Sequence, residues 1–425
     1  MKTLKNIGKI ALLSLALCGG TTSCNYLDVV PPEQASLPDA TKDPESTLGF
    51  LFSCYGGIRN PFDYQTVEAG ADEYVLPPLW NTGSQKITWD LNLPTNIADG
   101  WSWGSNYRFI GQCLLFLQQL PQAKGVTDEQ KRAWAAEANF LLAYYHMVTL
   151  VAYGPCPITD TYIDQATPES EYNGRMHFDY VKDWICQKFD EVCEDGQLPA
   201  TRTGDEWGRA TSVMAKALKA RLLVYAASPL FNGSFPYKDW ENTNFETPGY
   251  GKELISLKYD RKKWEVAKAA CQEAITAAEA AGHKLFSLED AQSLYQQAGL
   301  PLPFVPFKSA EGGTADKDKE FMERVQLMRY VVTTRYKEGN RETIWGLANQ
   351  GTMIIGSLPH RVIKNNQGTW KAGYSGVSPT LNTVERFYTE NGVPIEKDKQ
   401  FYPQSEWYQS AGVTDRSDII KLNTR

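Results

Sequence analysis

The residues TDEQKRAWAAEANFLLAYYHMVTLVAYGP, numbers 127–155, decide the fold class of this 425-residue chain. Thr127 followed three positions later by Gln130 fits a capping box, in which each side chain accepts a hydrogen bond from the other residue's backbone N–H. Apolar side chains then return every three or four residues, which is the spacing of one helix face. Gly154-Pro155 ends the pattern, because glycine suits a helix end and proline cannot continue a helix. The stretch therefore predicts one long helix.

Segments on both sides of this stretch show the same helical spacing. One begins at Asp43 and is stopped by Asn60-Pro61. The others are approximately 107–120, 177–193, 211–227 and a segment capped by Asp260. Interleaved alanine, tyrosine and tryptophan favour a mostly α fold built of tetratricopeptide-like helix pairs, without a strict ~34-residue period. Trp134, Trp184 and Trp264 lie on apolar helix faces, so we expect them in the core.

Composition limits the kinds of ligand. Lys plus Arg number 43 and Asp plus Glu 50, so the formal charge is 43 − 50 = −7. A nucleic-acid partner is disfavoured, because such proteins neutralise phosphates with an excess of basic residues. The 12 Trp, 22 Tyr and 17 Phe exceed what a typical core requires. Flat apolar rings in this number suit a polar ligand that also has apolar faces.

The first 23 residues have the pattern of an export signal, with early lysines, a short apolar run at 10–17 and small residues before Cys24. The run is far shorter than the ~20 residues of a membrane-spanning helix. Thr21-Thr22-Ser23-Cys24 resembles a bacterial lipobox, which predicts a signal peptide at 1–23 and acyl chains on Cys24 that anchor the protein to a membrane. An ordinary secreted protein cut nearby is the alternative. Residues 24–42 are expected to form a tether ahead of one domain at 43–425.

Six further cysteines follow Cys24, without a Cys-x-x-Cys pair or a nearby histidine pattern, so no metal site is expected. Several lie in helical apolar stripes, where cysteine behaves as a small hydrophobe, and this favours buried thiols over disulfides. The six are Cys54, Cys113, Cys156, Cys186, Cys193 and Cys271. Arg209 has two interpretations, a ligand for an acidic sugar or a structural ion pair. Its place just ahead of an alanine-rich helix favours the ion pair.

Several blocks of the sequence resemble the SusD/RagB family of outer-membrane glycan-binding lipoproteins. They are CNYLDVVPP at 24–32, EANFLLAYY at 137–145 with YGPCP at 153–157, GRAT at 208–211 leading into AKALKAR at 215–221, and Pro379 to Ile395. Leu142 departs from the family pattern, in which a basic residue is common there. The resemblance implies a SusD-like α/α fold on the outer membrane, facing the cell exterior, and a SusC-like TonB-dependent transporter as partner. Family members generally continue beyond the last block, so it also implies a chain truncated at the C-terminus.

Helical spacing fades between residues 62 and 103 and again between 300 and 370, and loops of this length often carry function. A sugar ring stacks its apolar C–H face on an aromatic plane while carboxylates and amides bond its hydroxyls. The glycan-binding residues predicted on this chemistry are Asp72, Glu73, Trp80, Asn81, Trp89, Trp370 and Tyr374, with ordinary packing as the alternative for each. Trp101 and Trp103 lie just before a helix and are expected in the core.

The sequence contains no nucleophile elbow, zinc-protease motif, phosphate-binding loop or dinucleotide fingerprint, and its four histidines are scattered. No catalytic residue and no cofactor are therefore expected. The pair Asp72-Glu73 offers the two carboxylates that a glycosidase needs, but adjacent acids in a loop more often face solvent. The predicted function is capture of an oligo- or polysaccharide and its delivery to the transporter. The alternatives are a relative that binds peptides or another nutrient and, less favoured, a lipid-anchored glycosidase.

Overall fold

A computed structural model describes residues 37–58, 70–77, 83–90, 93, 103–164, 166–297, 324, 327, 328, 330–332, 334, 339–346, 363, 364, 370, 371, 376–389 and 392–399. Helices account for most of this part of the chain. In order they are α1 (Pro44–Tyr55), α2 (Gly83–Thr88), α3 (Trp103–Gln119), α4 (Asp128–Tyr153), α5 (Phe178–Glu191), α6 (Ser212–Ala227), α7 (Arg261–Ala280), α8 (Leu288–Gln297) and α9 (Leu381–Glu385). The fold is mostly α, as the helical spacing predicts.

The predicted helix starts are confirmed by their hydrogen bonds. At the start of α4 the Thr127 hydroxyl accepts from the Gln130 N–H at 3.2 Å, and the Gln130 side chain accepts from the Thr127 N–H at 3.0 Å. The side chains of Asp43, Thr211 and Asp260 cap α1, α6 and α7 by each accepting from a backbone N–H of the first turn, without the reciprocal bond. Gly154 ends α4 with a φ of 69°, a backbone conformation in which a Cβ atom is strained.

Consecutive helices contact one another, in the manner of tetratricopeptide-like pairs. The helix α3 packs on α4, α4 on α5, α5 on α6 and α6 on α7, while α1 contacts both α3 and α4. We call α1 and α3–α7 the helical body. The α6–α7 contact is lined by small side chains, including Ala220, Ala267, Ala270 and Ala274, all of them buried. Alanine at such positions lets two helix backbones approach closely, which compensates for the small apolar area of each residue.

The prediction that certain tryptophans lie in the core is correct for some of them and wrong for one. Trp134 is buried, Trp184 and Trp103 are partly buried against the core, and Trp101 lies outside the described residues. Trp264 contradicts the prediction, because 42% of its surface is exposed. The buried stripe of α7 consists of alanines, and Trp264 lies to one side of that stripe.

The six described cysteines are free thiols, as predicted. Four of them are buried and two are partly buried. Cys113 is fully buried in α3, and burial raises its thiol pKa, with the neighbouring Cys54 adding to the shift. The Cys113 thiol therefore stays protonated, and a buried cysteine of this kind acts as a small apolar side chain.

No helix in the described part of the chain has the length and hydropathy that crossing a membrane requires. Residues 1–36 lie outside the described residues, and with them the predicted signal peptide, Cys24 and most of the tether.

Candidate functional site

The first loop-rich region is joined to the chain that follows the second one. Strand β1 (Tyr74–Val75) pairs antiparallel with β4 (Ser378–Pro379), with Tyr74 opposite Pro379 and Val75 opposite Ser378. The Thr380 N–H extends this ladder by donating to the Glu73 carbonyl at 3.1 Å. We call the junction of residues 72–75 with 378–386 the strand tie. It places Asp72 and Glu73, two of the predicted contact residues, beside a segment far away in sequence.

Asp72 is the most heavily bonded residue of the strand tie. Its carboxylate accepts from the Asn382 amide at 2.7 Å and from the Arg386 guanidinium at 3.0 Å. Its backbone carbonyl accepts from the hydroxyls of Thr380 and Thr383, the latter at 3.0 Å. About half of the Asp72 side chain stays open to solvent. One carboxylate therefore bonds the tie and still presents an oxygen surface outward.

A short helix carries Trp89 onto the same segment. The Gln85 side chain of α2 donates to the Pro77 carbonyl, and Gly70 lies against Ile87 so closely that a Cβ at position 70 would meet it at 3.0 Å. Trp89 directly follows α2, its N–H donating to the Gln85 carbonyl at 3.0 Å. Its indole is 46% exposed. The contacts of α2 thus bracket Asp72 and Glu73 in the chain, and the exposed Trp89 with these two acids offers the flat and polar elements of a sugar platform.

The other predicted glycan-binding residues lie elsewhere in the chain, and three of them are outside the described residues. Trp80, Asn81 and Tyr374 lie outside the described residues. Trp370 lies in β3 (Trp370–Lys371), which pairs antiparallel with β2 (Ile363–Lys364). Glu73 is exposed, as a hydroxyl acceptor would be.

Sequence reasoning missed the residues that bind Asp72 from the other side of the tie. They are Thr380, Thr383, Asn382 and Arg386, on or beside α9. One local signal was available, because Thr380 caps α9 and accepts from the Thr383 N–H at 3.1 Å. A cap predicts a helix start, but it does not say which distant carboxylate that helix will meet.

Arg209 forms the predicted structural ion pair. Its guanidinium donates to both oxygens of the fully buried Glu137, at 2.5 and 3.1 Å, and Arg202 donates to the same carboxylate at 2.9 Å. The Tyr55 hydroxyl donates to it at 2.6 Å and accepts from the Ala210 N–H. Burial, together with the Glu137 charge, raises the pKa of Tyr55, so the hydroxyl remains a donor. We call Tyr55, Glu137, Arg202, Glu206 and Arg209 the Glu137 cluster.

The Glu137 cluster holds the body together and leaves no free group for a ligand. It ties α1 and α4 to the segment that precedes α6 through one carboxylate with four donated hydrogen bonds. Glu206 closes the outer side by pairing with Arg209 at 2.6 Å and with Arg202 at 3.3 Å. A buried carboxylate is tolerated only with this degree of pairing. The cluster is therefore part of the scaffold.

A groove of about 740 Å³ lies among α5, α6 and α7. Its walls carry both acids and lysines, among them Asp179, Lys182, Asp190, Lys219 and Lys263. Asp179 and Lys263 pair there at 2.8 Å, and Lys219 pairs with Asp190 at 2.6 Å. Within the described part of the chain, no group of three or more His, Cys, Asp or Glu side chains has an arrangement that would hold a metal ion.

No protein-family model matches the chain, and no curated protein matches it. Solved structures do. The protein BT4246 is 52% identical with a TM-score of 0.75, over 90% of this chain and 63% of BT4246, and its selenomethionine form gives 52% and 0.72. A SusD-like protein of Bacteroides fragilis NCTC 9343, BF3747, is 17% identical with a TM-score of 0.57, over 85% of this chain and 57% of its own.

These neighbours show the class of fold to which the chain belongs. The likeness to the Bacteroides fragilis protein, at 17% identity, is a likeness of fold, and that fold is SusD-like. The sequence blocks and the 52% identity to BT4246, over 90% of this chain, agree with it. The chain therefore has the SusD-like fold, and its sequence blocks resemble those of the SusD/RagB family. It spans less than two thirds of the length of the relatives that it matches.

Proposed function

We propose that this protein binds an oligo- or polysaccharide at the loop surface formed by the strand tie and the end of α2. The observation that carries the proposal is the exposed Trp89 directly after α2, a helix whose contacts with Gly70 and Pro77 fall on either side of Asp72 and Glu73 in the chain. An indole plane takes the apolar face of a sugar, and neighbouring carboxylate oxygens accept its hydroxyl hydrogens. The SusD-like fold and the resemblance to the SusD/RagB family support the same ligand class.

The proposed role is capture without catalysis. A glycosidase needs one carboxylic acid that donates a proton and a second carboxylate across the scissile bond. The Asp72 carboxylate accepts hydrogen bonds from Arg386 and Asn382 within the strand tie, which is the arrangement of a fixed acceptor and not of a proton donor. Glu73 is its immediate neighbour in sequence, which does not place two carboxylates on opposite sides of a sugar. Both acids serve better as fixed acceptors.

The test compares two exposed tryptophans. Trp89 and Trp264 are 46% and 42% exposed, and they lie on α2's end and on α7. We expect calorimetric titration with a panel of plant, host and microbial glycans to reveal saturable binding, without release of reducing ends. Trp89→Ala should weaken it roughly tenfold, whereas Trp264→Ala should leave it unchanged.

Three outcomes would count against the proposal in different ways. Equal loss in the two tryptophan variants would remove the site from the strand tie. Binding of peptides and of no glycan would overturn the ligand class. Release of reducing ends from a bound polysaccharide would replace capture with glycoside hydrolysis.

We extend the proposal to the partner and the location. Lipidation of Cys24 would hold the protein on the outer membrane, and the bound glycan would pass to a SusC-like TonB-dependent transporter. Cys24→Ala is expected to release the protein from the membrane fraction, while Cys54→Ala should not. Co-purification of a transporter with the anchored protein tests the partner. An anchored protein that always purifies alone would refute this extension and leave glycan binding intact.

A further inference from the structure

A row of three aromatic rings, one exposed and two partly buried against the core, lies in the chain segment between α6 and α7. It consists of Phe235, Tyr237 and Trp240. Tyr237 is 69% exposed, the highest value for any tyrosine in the described part of the chain. Neither the predicted glycan contacts nor the scaffold cluster uses these residues. The open ring of Tyr237 has an apolar face and a polar hydroxyl, the combination that suits contact with a partly polar ligand.

The row is supported from the core outward. Phe178 and Phe231 stack with ring centroids 4.2 Å apart and nearly parallel planes. Phe235 stacks on Trp240 at 5.5 Å with an 11° tilt, and the edge of Tyr237 meets Phe235 at 5.7 Å. The Tyr237 ring is therefore braced at one side while its surface remains open.

The backbone that carries the row is anchored at both ends. Asn232 donates to the carbonyls of Ala227 and Asp260, at 3.2 and 3.0 Å, and accepts from the Asp260 N–H at 2.7 Å. Asn242 donates to the Arg175 carbonyl at 2.7 Å. Trp240 also lies against Gly154, where an added Cβ would meet the indole at 3.5 Å. A surface held in this way loses little conformational entropy when a ligand binds.

The charges around the row select among sugars. Residues 232–253 contain two lysines and four acids, so their formal charge is 2 − 4 = −2. Lys238 and Asp239 directly follow Tyr237, are exposed, and form no hydrogen bond or ion pair within the described residues. They supply free donors and acceptors for sugar hydroxyls, while the net negative charge opposes a uronic acid.

We propose that Tyr237, braced by Phe235 and Trp240, is a second carbohydrate contact that takes a neutral pyranose ring of a polysaccharide. The inference rests on the proposed function, since it assumes that the protein binds glycans at all. A polymer that reaches both this row and the strand tie binds more tightly than a short oligosaccharide, because the second contact forms within one complex. The row therefore raises retention of long chains specifically.

The experiment uses affinity electrophoresis of the full chain in gels containing amylopectin, galactomannan, xyloglucan or polygalacturonate. Tyr237→Ala should weaken retention by the neutral polymer that binds by roughly fivefold, and Tyr237→Phe should retain it, because stacking does not need the hydroxyl. Calorimetry with an oligosaccharide cut from that polymer should give the same affinity for both variants and the wild type. Tyr172→Ala, at a tyrosine 47% exposed outside the row, is the matched control.

The outcomes separate the two proposals. Unchanged retention of Tyr237→Ala, with binding still lost in Trp89→Ala, overturns the second contact and leaves the proposed function standing. Equal losses in Tyr237→Ala and Tyr172→Ala also overturn it. A wild-type chain that none of the four polymers retains, and that binds no glycan of the panel, overturns the proposed function and the second contact together. Matching thermal unfolding of all variants verifies that they are folded.

Discussion

The helical body and the strand tie each hold a carboxylate with arginine, in opposite surroundings. Glu137 is fully buried and its partners Arg202 and Arg209 are nearly so. Asp72 and Arg386 are both more than half exposed. A buried carboxylate without its partners is very costly, whereas an exposed ion pair contributes little to stability. A carboxylate–arginine pair therefore stabilises the whole scaffold in the helical body, whereas in the strand tie it only positions side chains at the surface.

The largest effect is expected where the body loses its buried charge. Glu137→Gln leaves Arg202 and Arg209 without their carboxylate, which should lower the free energy of unfolding by about 3–5 kcal/mol. Urea denaturation measures the loss. Glu265→Gln is the control, because Glu265 pairs with Arg261 on an exposed face of α7 and should change stability by less than ~0.5 kcal/mol. A similar small decrease in the free energy of unfolding for both variants would show that the buried pair contributes no more to stability than the exposed pair.

Acid should weaken the body through His146. Its Nδ1 donates to the Leu142 carbonyl at 2.8 Å, and its Nε2 accepts from the Thr159 N–H at 3.1 Å, so the ring is neutral. Burial lowers its pKa from 6.5 to about 4. Below the unfolded pKa the unfolded chain binds the extra proton, so stability present at neutral pH is lost as pH falls from 6.5 towards 4.

We expect the His146 contribution to fall by about 2 kcal/mol between roughly pH 7.5 and roughly pH 5. His146→Gln removes the titrating group, so its unfolding free energy should depend less on pH by that amount. His283→Gln, at a partly exposed position, serves as the control. Identical pH profiles for wild type and His146→Gln would show that this histidine does not carry the acid sensitivity.

A smaller effect is expected at a helix start. Thr127→Ala removes the hydroxyl that accepts from the Gln130 N–H, and loss of such a cap costs about 1 kcal/mol. Thr127→Ser keeps the acceptor and should preserve most of the stability. Thermal or urea unfolding compares the three proteins. A serine variant as unstable as the alanine variant would argue that packing, not the cap, matters at this position.

The smallest global effect is expected in the strand tie. Asp72→Ala removes the acceptor of Asn382 and Arg386, yet it should lower the unfolding free energy by less than ~1 kcal/mol, because the pair is exposed. Its effect should be local, as faster amide hydrogen exchange in residues 376–389. Glu73→Ala is the matched neighbour, since within the described residues its carboxylate forms no ion pair. An equal increase in the exchange rate in both variants would show that the Asp72 side-chain bonds do not hold residues 376–389 in place.

The body was predictable from sequence and the tie was not, for a physical reason. Helix spacing and the caps at Asp43, Thr127 and Asp260 depend on residues within a few positions of each other, and all three starts are confirmed. The strands of the tie have two residues each, too few to show alternation, and their partner lies in a distant segment. The prediction for Trp264 was wrong because this residue lies at the margin of the buried alanine stripe of α7, and helical spacing does not fix where a buried face ends.

The strand tie also determines which part of the molecule can fold last. Its contacts join residues up to 314 positions apart, whereas the helical body forms from neighbours along the chain. During synthesis the chain emerges from its N-terminal end, so α1 and α3–α7 can assemble while α9 is still missing. The surface around Asp72 forms last, because pairing its two segments requires closure of a long loop, which is entropically unfavourable. An interrupted chain would thus keep a folded scaffold and lack its proposed ligand surface.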